Sequence, residues 1–153
     1  MAARINVIEI DRGWSNIEKN IRKMGGAETR VGLFGSGGGA DENLAARASV
    51  QEYGSRRWKG GGRPFMRQSF DKNVGDLERL AKKEYDQVVD QKQSVSKMVK
   101  TVGAWMEGKI KETITTGNFR PLKPATIRAK GSSTPLIDTG QMRNSITHKD
   151  KVR

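Results

Sequence analysis

The 153-residue chain contains no cysteine and a single histidine, His148. The first absence removes disulfides, iron–sulfur clusters and thiolate zinc sites. The second removes any metal site built on several imidazoles. Proline is scarce, at four residues, and aromatic side chains make up 6%. Hydrophobic residues reach only 34% against 30% charged, enough for a modest core under a large solvated surface. No apolar run approaches the roughly 18 residues that cross a bilayer. The opening MAARINVIEID lacks the apolar stretch of a secretory leader and carries two acids almost at once, so a soluble protein made and used in a cytoplasm is expected. Acids are also outnumbered, 17 against 29 Lys and Arg, for a net charge of +12 and a pI near 10.2. Such charge implies an anionic partner, or many identical neighbours whose acidic faces meet basic ones. The length fits one domain spanning residues 1–153, with at most an arm.

Periodicity divides the chain. Residues 4–10 are β-branched and alternate imperfectly, which suits a strand. Trp14, Ile17, Ile21 and Met24 then fall at helical spacing, and Gly25-Gly26 stops that helix. Glu28 to Gly35 reads as a second strand, giving a β–α–β opening. Residues 35–40 (GSGGGA) form a loop, Asn43 caps a helix from Leu44 to Tyr53, and Gly54 ends it. Residues 54–63 carry Arg56, Arg57, Trp58, Lys59, Arg63 and a run of glycines, an exposed flexible arm. Two stripes follow: Val74, Leu77, Ala81, Tyr85 and Val88, then Val95, Met98, Val102, Trp105, Ile110 and Ile114, up to Gly117. The polar QKQS between them lacks Gly or Pro, which leaves one bent helix or two helices open. Beyond Asn118 a short helix fits Pro124–Lys130, with Pro at its first position. Asp138 to Gln141 has capping-box spacing for another helix through Arg143, and residues 145–149 suit a last strand. The fold class expected is α+β: a small mixed or antiparallel sheet packed against the long helices of residues 71–116, with extended loops or arms.

The chemistry-bearing motifs are thin. GSGGGA superficially matches a dinucleotide-binding turn, but Asp41-Glu42 follow at once and would repel a pyrophosphate, and no Gly-Lys-Ser/Thr appears. His148 has only Asp150 near it in sequence, and Ser132, Ser133 and Ser145 lack an elbow. The acids Asp71, Asp76, Glu84, Asp86 and Asp90 interleave with Lys and Arg as a solvated helix face would. Trp14 and Trp105 lie on apolar stripes, so core packing is expected of them rather than a ligand box with Phe119. A non-enzymatic protein without cofactor or metal follows. Arg56-Arg57-Trp58-Lys59 with Arg63 fits two readings: cations and an indole for nucleic acid, or a basic arm docking on an acidic protein. No helix-turn-helix spacing or basic recognition helix accompanies it.

Two stretches carry a resemblance. One runs from Leu44 through Glu52-Tyr53-Gly54-Ser55 to Arg63-Pro64-Phe65-Met66-Arg67. The other runs from Gly117-Asn-Phe119-Arg-Pro-Leu122 through Thr126-Ile127 to Leu136-Ile137-Asp138-Thr139-Gly140-Gln141-Met142-Arg143-Asn144-Ser145. Together they resemble tailed-phage neck and tail-completion proteins, the virion-morphogenesis and HK97 gene-10-like group, over roughly residues 30–150. The loop before Arg63 is richer in Gly and Arg than the family pattern. The resemblance implies a virion structural protein of the neck (head–tail connector, tail-completion protein or tail terminator). Such proteins form a hexameric or dodecameric ring between portal or connector and tail tube, around the channel that genome DNA crosses. It implies no catalytic residue, no cofactor and no membrane. Within that frame Arg56, Arg57, Trp58, Lys59, Arg63 and Phe65 are candidate partner contacts, with Pro64 and Phe65 holding the loop's exit. Glu52, Gly54, Pro64, Asp138, Thr139, Gly140, Arg143 and Ser145 are structural, Asp138 capping a helix and Arg143 pairing with an acid. The alternative function is a basic nucleic-acid-binding module.

Overall fold

The computed structural model describes residues 13–34, 42–56, 61–131, 133–136 and 139–152. The strand expected at residues 4–10 and the loop at 35–40 lie outside them. The elements in order are α1 (Trp14–Met24), β1 (Glu28–Gly32), α2 (Glu42–Tyr53), α3 (Phe65–Val89), α4 (Val95–Thr116), α5 (Pro124–Lys130), α6 (Gln141–Asn144) and β2 (Thr147–Lys151). The fold is α+β: a two-stranded antiparallel sheet packed against helices.

An α-helical hairpin organises the molecule. α3 and α4, about 37 and 33 Å long at 1.5 Å per residue, are separate helices joined by a tight turn. Without Gly or Pro, the reversal is made by Gln91, which adopts a left-handed φ of 58°. Gln93 Nε2 donates to the Glu84 carbonyl (2.9 Å) and carboxylate (2.7 Å), and Ser94 Oγ caps α4 by accepting from Lys97 N at 3.2 Å. Glu84 is thus buried, not part of a solvated face. Gly117 ends α4 because the Phe119 ring folds back over it; a Cβ there would lie 2.5 Å from Phe119 Cε2.

The core is built from Ala48, Phe65, Met106, Ile110, Ile114, Leu136 and Ile146, with Val31, Leu33, Leu77, Trp105, Phe119 and Met142 packed against it. The face of α3 that disappears is more polar than its apolar stripe: Phe65, Ser69, Asn73, Glu84 and Val88 are buried, whereas Tyr85 keeps 46% of its surface. On α4 the buried positions are Val95, Val99, Gly103, Met106, Ile110, Thr113 and Ile114: Val95, Ile110 and Ile114 are as expected, while Val99, Gly103 and Met106 take the buried places expected of Met98, Val102 and Trp105. Trp14 is exposed rather than core, at 69%, and α1 has no buried residue.

β1 and β2, far apart in sequence, pair antiparallel with Thr29 opposite Asp150, Arg30 opposite Lys149 and Val31 opposite His148. The expected strand 28–35 is therefore shorter, and the last strand starts two residues later than expected. The sheet lies on α4 where Gly103 leaves room, since a Cβ there would meet Thr29 Oγ1 and sit 2.9 Å from His148 Cδ2. His148 Nδ1 donates to Glu107 Oε2 at 2.6 Å, Lys111 Nζ reaches Glu107 Oε1 at 2.5 Å, and Thr29 Oγ1 donates to Asp150 Oδ1 at 2.7 Å. α5 begins with Pro124 and stops at Gly131 as expected. α2 begins at Glu42, which puts Asn43 in its first turn instead of at the cap.

Candidate partner interface

The turn from α2 into α3 explains the first family-like stretch. α2 ends at Tyr53, and Gly54, at φ 83°, turns the chain. Gly62 returns so close that a Cβ would lie 2.5 Å from the Glu52 carbonyl and 2.6 Å from Gly54 N, a position open only to glycine. Arg63 N then donates to the Gln51 carbonyl at 2.5 Å. α3 starts behind Pro64, which has no side chain to cap it. The buried Glu52 carboxylate does so instead, accepting from Met66 N (2.9 Å) and Arg67 N (3.1 Å). A carboxylate there answers orphan amides and the positive end of the helix dipole together. Sequence reasoning placed Glu52 in the motif without this function; an acid in the last turn of α2, ahead of a helix lacking an N-cap residue, was the available signal.

The candidate contacts separate accordingly. Arg56 is exposed at the start of the arm, while Arg57, Trp58 and Lys59 lie outside the described residues. Phe65 is not a partner contact: it is 0% exposed and anchors the core. Arg63 is half-buried and turned inward, with Nε donating to the Arg120 carbonyl (3.2 Å) and a terminal nitrogen to Gln51 Oε1 (3.4 Å). Burial, then the neighbouring Arg120 cation, lowers its pKa. The end of the arm, Gly61–Arg63, is consequently tied to α2 rather than loose.

An apolar surface that the sequence did not single out adjoins the arm. Val50, Tyr53 and Phe70 keep 41%, 74% and 48% of their surface, and the Arg67 guanidinium sits 5.8 Å from the Tyr53 ring centroid. Val50 and Tyr53 share one face of α2, and Arg67 and Phe70 one face of α3, by their i,i+3 spacing. Tyrosine, phenylalanine and arginine grouped beside exposed cations have the composition of protein-interface centres.

The second family-like stretch closes on the first. Leu44, Arg47, Gln51 and Arg63 line a cleft of about 350 Å³ together with Leu122, Thr126, Leu136 and Met142. α6 opens at Gly140, φ 76°, with no side-chain cap bond, so the capping-box expectation fails at the helix itself. Asp138 lies outside the described residues, and Thr139 Oγ1 accepts from Gln141 N at 3.3 Å. Arg143 is exposed and makes no ion pair with another described residue, and Asp138, the nearest acid in sequence, lies outside them. Ser145 ends α6, its amide donating to the Gln141 carbonyl.

His148 is the other place where titratable groups gather. Its second nitrogen, Nε2, lies 3.7 Å from Asp150 Oδ2, so both ring edges face carboxylates. Burial, the largest influence on Glu107, raises its pKa, but the bonds from Lys111 and His148 outweigh it and leave the carboxyl below its ordinary range. The cleft described above is lined by other residues, and the cluster joins sheet to helix. No group of three or more His, Cys, Asp or Glu able to hold a metal occurs among the described residues, and no described helix is long and apolar enough to cross a membrane. Comparisons with protein-family models, curated proteins and solved structures find no match to this chain.

Proposed function

We propose that this protein is a structural component of a tailed-phage neck, a connector, tail-completion protein or tail terminator. In this reading copies form a hexameric or dodecameric ring between portal or connector and tail tube, around the channel for genome DNA, and the protein works in the virion through contact surfaces instead of catalysis. The observation that carries the reading is the meeting of its two resemblance-bearing stretches. Segments 44–67 and 117–146, separated in sequence by the α3–α4 hairpin, both line one cleft. The residues that define the first stretch have architectural jobs: Glu52 caps α3, Gly54 turns the chain at positive φ, and Phe65 fills the core. The Val50–Tyr53–Arg67–Phe70 surface next to the basic arm supports a partner docking here. In a ring each head-to-tail contact repeats, so modest pairwise affinity is reinforced by closure.

The test replaces Tyr53 and Phe70 by Ser in the encoding genome, and separately replaces Arg57-Trp58-Lys59 by Ser-Gly-Ser, which keeps the tied Gly61–Arg63 turn. Tyr53 and Phe70 are exposed and outside the core cluster, so the purified Tyr53/Phe70 variant is expected to melt like the parent. Electron microscopy of lysates is expected to show heads and tails that fail to join. Normal yields of joined particles from both variants would overturn the reading, as would tight, salt-sensitive DNA binding by a protein absent from particles.

A further inference from the structure

We propose that the outer face of the β1–β2 ribbon binds duplex DNA through its phosphates, independently of base sequence. Strand alternation divides the ribbon in two. Thr29, Val31, His148 and Asp150 share the face laid on α4, fixed there by the close approach at Gly103 and the bond to Glu107. Glu28, Arg30, Lys149 and Lys151 therefore share the opposite face, where Arg30 is 71% exposed in its side chain and both lysines are exposed.

Arg30 and Lys149 stand directly across from each other in the register. Like charges in that relation destabilise a sheet, and a two-stranded sheet has little stability to spare. The only carboxylate paired with this face among the described residues is Glu28, 3.2 Å from Arg30, which leaves an excess of two cations. The fold thus tolerates a repulsion that an anionic ligand would relieve.

The geometry suits a regular polyanion. Lys149 and Lys151 are two residues apart, about 6.7 Å along a strand, which puts both ammonium groups within reach of neighbouring phosphates on one densely charged DNA strand. A two-stranded ribbon is also an element that the major groove admits. The cations are held rather than loose. Lys149 Nζ lies 4.8 Å from the Phe34 ring centroid, and the ribbon's back is bonded to α4 through His148 and Glu107. Such preorganisation lowers the ordering cost of binding. The inference does not rest on the neck reading, because any duplex would serve; within a ring, it assigns this face to the channel.

The test is a fluorescence-anisotropy titration of the full chain with a 20-bp duplex of arbitrary sequence, repeated between about 50 and 200 mM salt. The parent is compared with Arg30→Gln/Lys149→Gln/Lys151→Gln and with an equal-charge control on α1, Lys19→Gln/Arg22→Gln/Lys23→Gln. Three lost phosphate contacts are expected to reduce the log K against log salt slope by about 2–3 and weaken binding at least tenfold at the lowest salt, whereas the control moves the slope by less than about 1. The ribbon variant is expected to melt at or above the parent temperature, since a repulsion is removed. Equal losses from both variants would overturn the assignment, as would parent binding without salt dependence, or displacement of DNA by polyglutamate at equal charge concentration. Incorporation of the ribbon variant into joined particles is scored separately, so unchanged DNA binding by a ribbon variant that still joins particles sinks this inference alone.

Discussion

Gly103 and Gly108 sit in the same helix and should respond oppositely to alanine. At Gly108 a Cβ meets nothing within 4 Å, so the substitution only adds helix propensity, about 0.8–1.0 kcal/mol. At Gly103 the same gain is available, but the Cβ would meet Thr29 Oγ1 and lie 2.9 and 3.1 Å from His148 Cδ2 and Cγ. Those atoms belong to strands tied to each other by the Thr29–Asp150 bond and to α4 by the His148–Glu107 bond, so they yield only if the sheet shifts. Overpacking of this kind costs about 1–3 kcal/mol, which leaves a net loss of up to about 2 kcal/mol. For a chain of this size 1 kcal/mol moves the melting temperature by roughly 2–4 °C. Gly108→Ala should then raise it by about 2–4 °C and Gly103→Ala lower it by up to about 8 °C, read by circular dichroism on matched samples. Equal increases in both variants would refute the seating of the sheet on Gly103.

Three further outcomes follow from buried polar groups. Ser69 is fully buried and its Oγ has no hydrogen-bond partner among the described residues, so Ser69→Ala should be neutral or stabilise by about 1 kcal/mol in urea unfolding; a loss above about 1 kcal/mol would contradict the unsatisfied hydroxyl. Glu52→Ala removes both amide bonds at the start of α3 and should cost about 2 kcal/mol, visible as faster amide exchange at Met66 and Arg67; unchanged exchange there would refute the cap. Glu107 is held below its ordinary pKa in the folded chain, so the unfolded state binds more protons as acid is added. Its contribution is whole above the unfolded value of about 4.3 and lost as pH falls through the folded one. Thermal melts between pH 7 and 3 should therefore fall less steeply for Glu107→Gln than for the parent, and parallel curves would contradict the linkage.

The helices were legible where local rules suffice. α1, α5 and most of α3 and α4 follow from apolar spacing, from Pro124 at a first helical position and from glycines just past the ends. The α3–α4 break was not legible, because it depends on Gln91 accepting a left-handed φ and on Gln93 reaching back to Glu84, not on Gly or Pro. Nor was the buried face of α3. Asn73 donates to the Ser69 carbonyl within the helix and Glu84 is held by Gln93, so side chains that read as polar surface are satisfied inside. Trp14 shows the converse: spacing reveals an apolar stripe on α1, but not whether another element covers it. At the candidate interface the turn chemistry around Gly54 and Pro64 was readable, whereas the Tyr53–Arg67–Phe70 surface needed α2 and α3 to be brought side by side.

The most direct measurement is electron cryomicroscopy of purified particles produced from the genome that encodes this chain. A ring of density at the head–tail junction should accept repeated copies of the α3–α4 hairpin with its two-stranded sheet, and the Tyr53–Phe70 surface should be covered by a neighbour. Particles whose junction holds no such density, and whose protein inventory lacks this chain, would contradict a role in the neck.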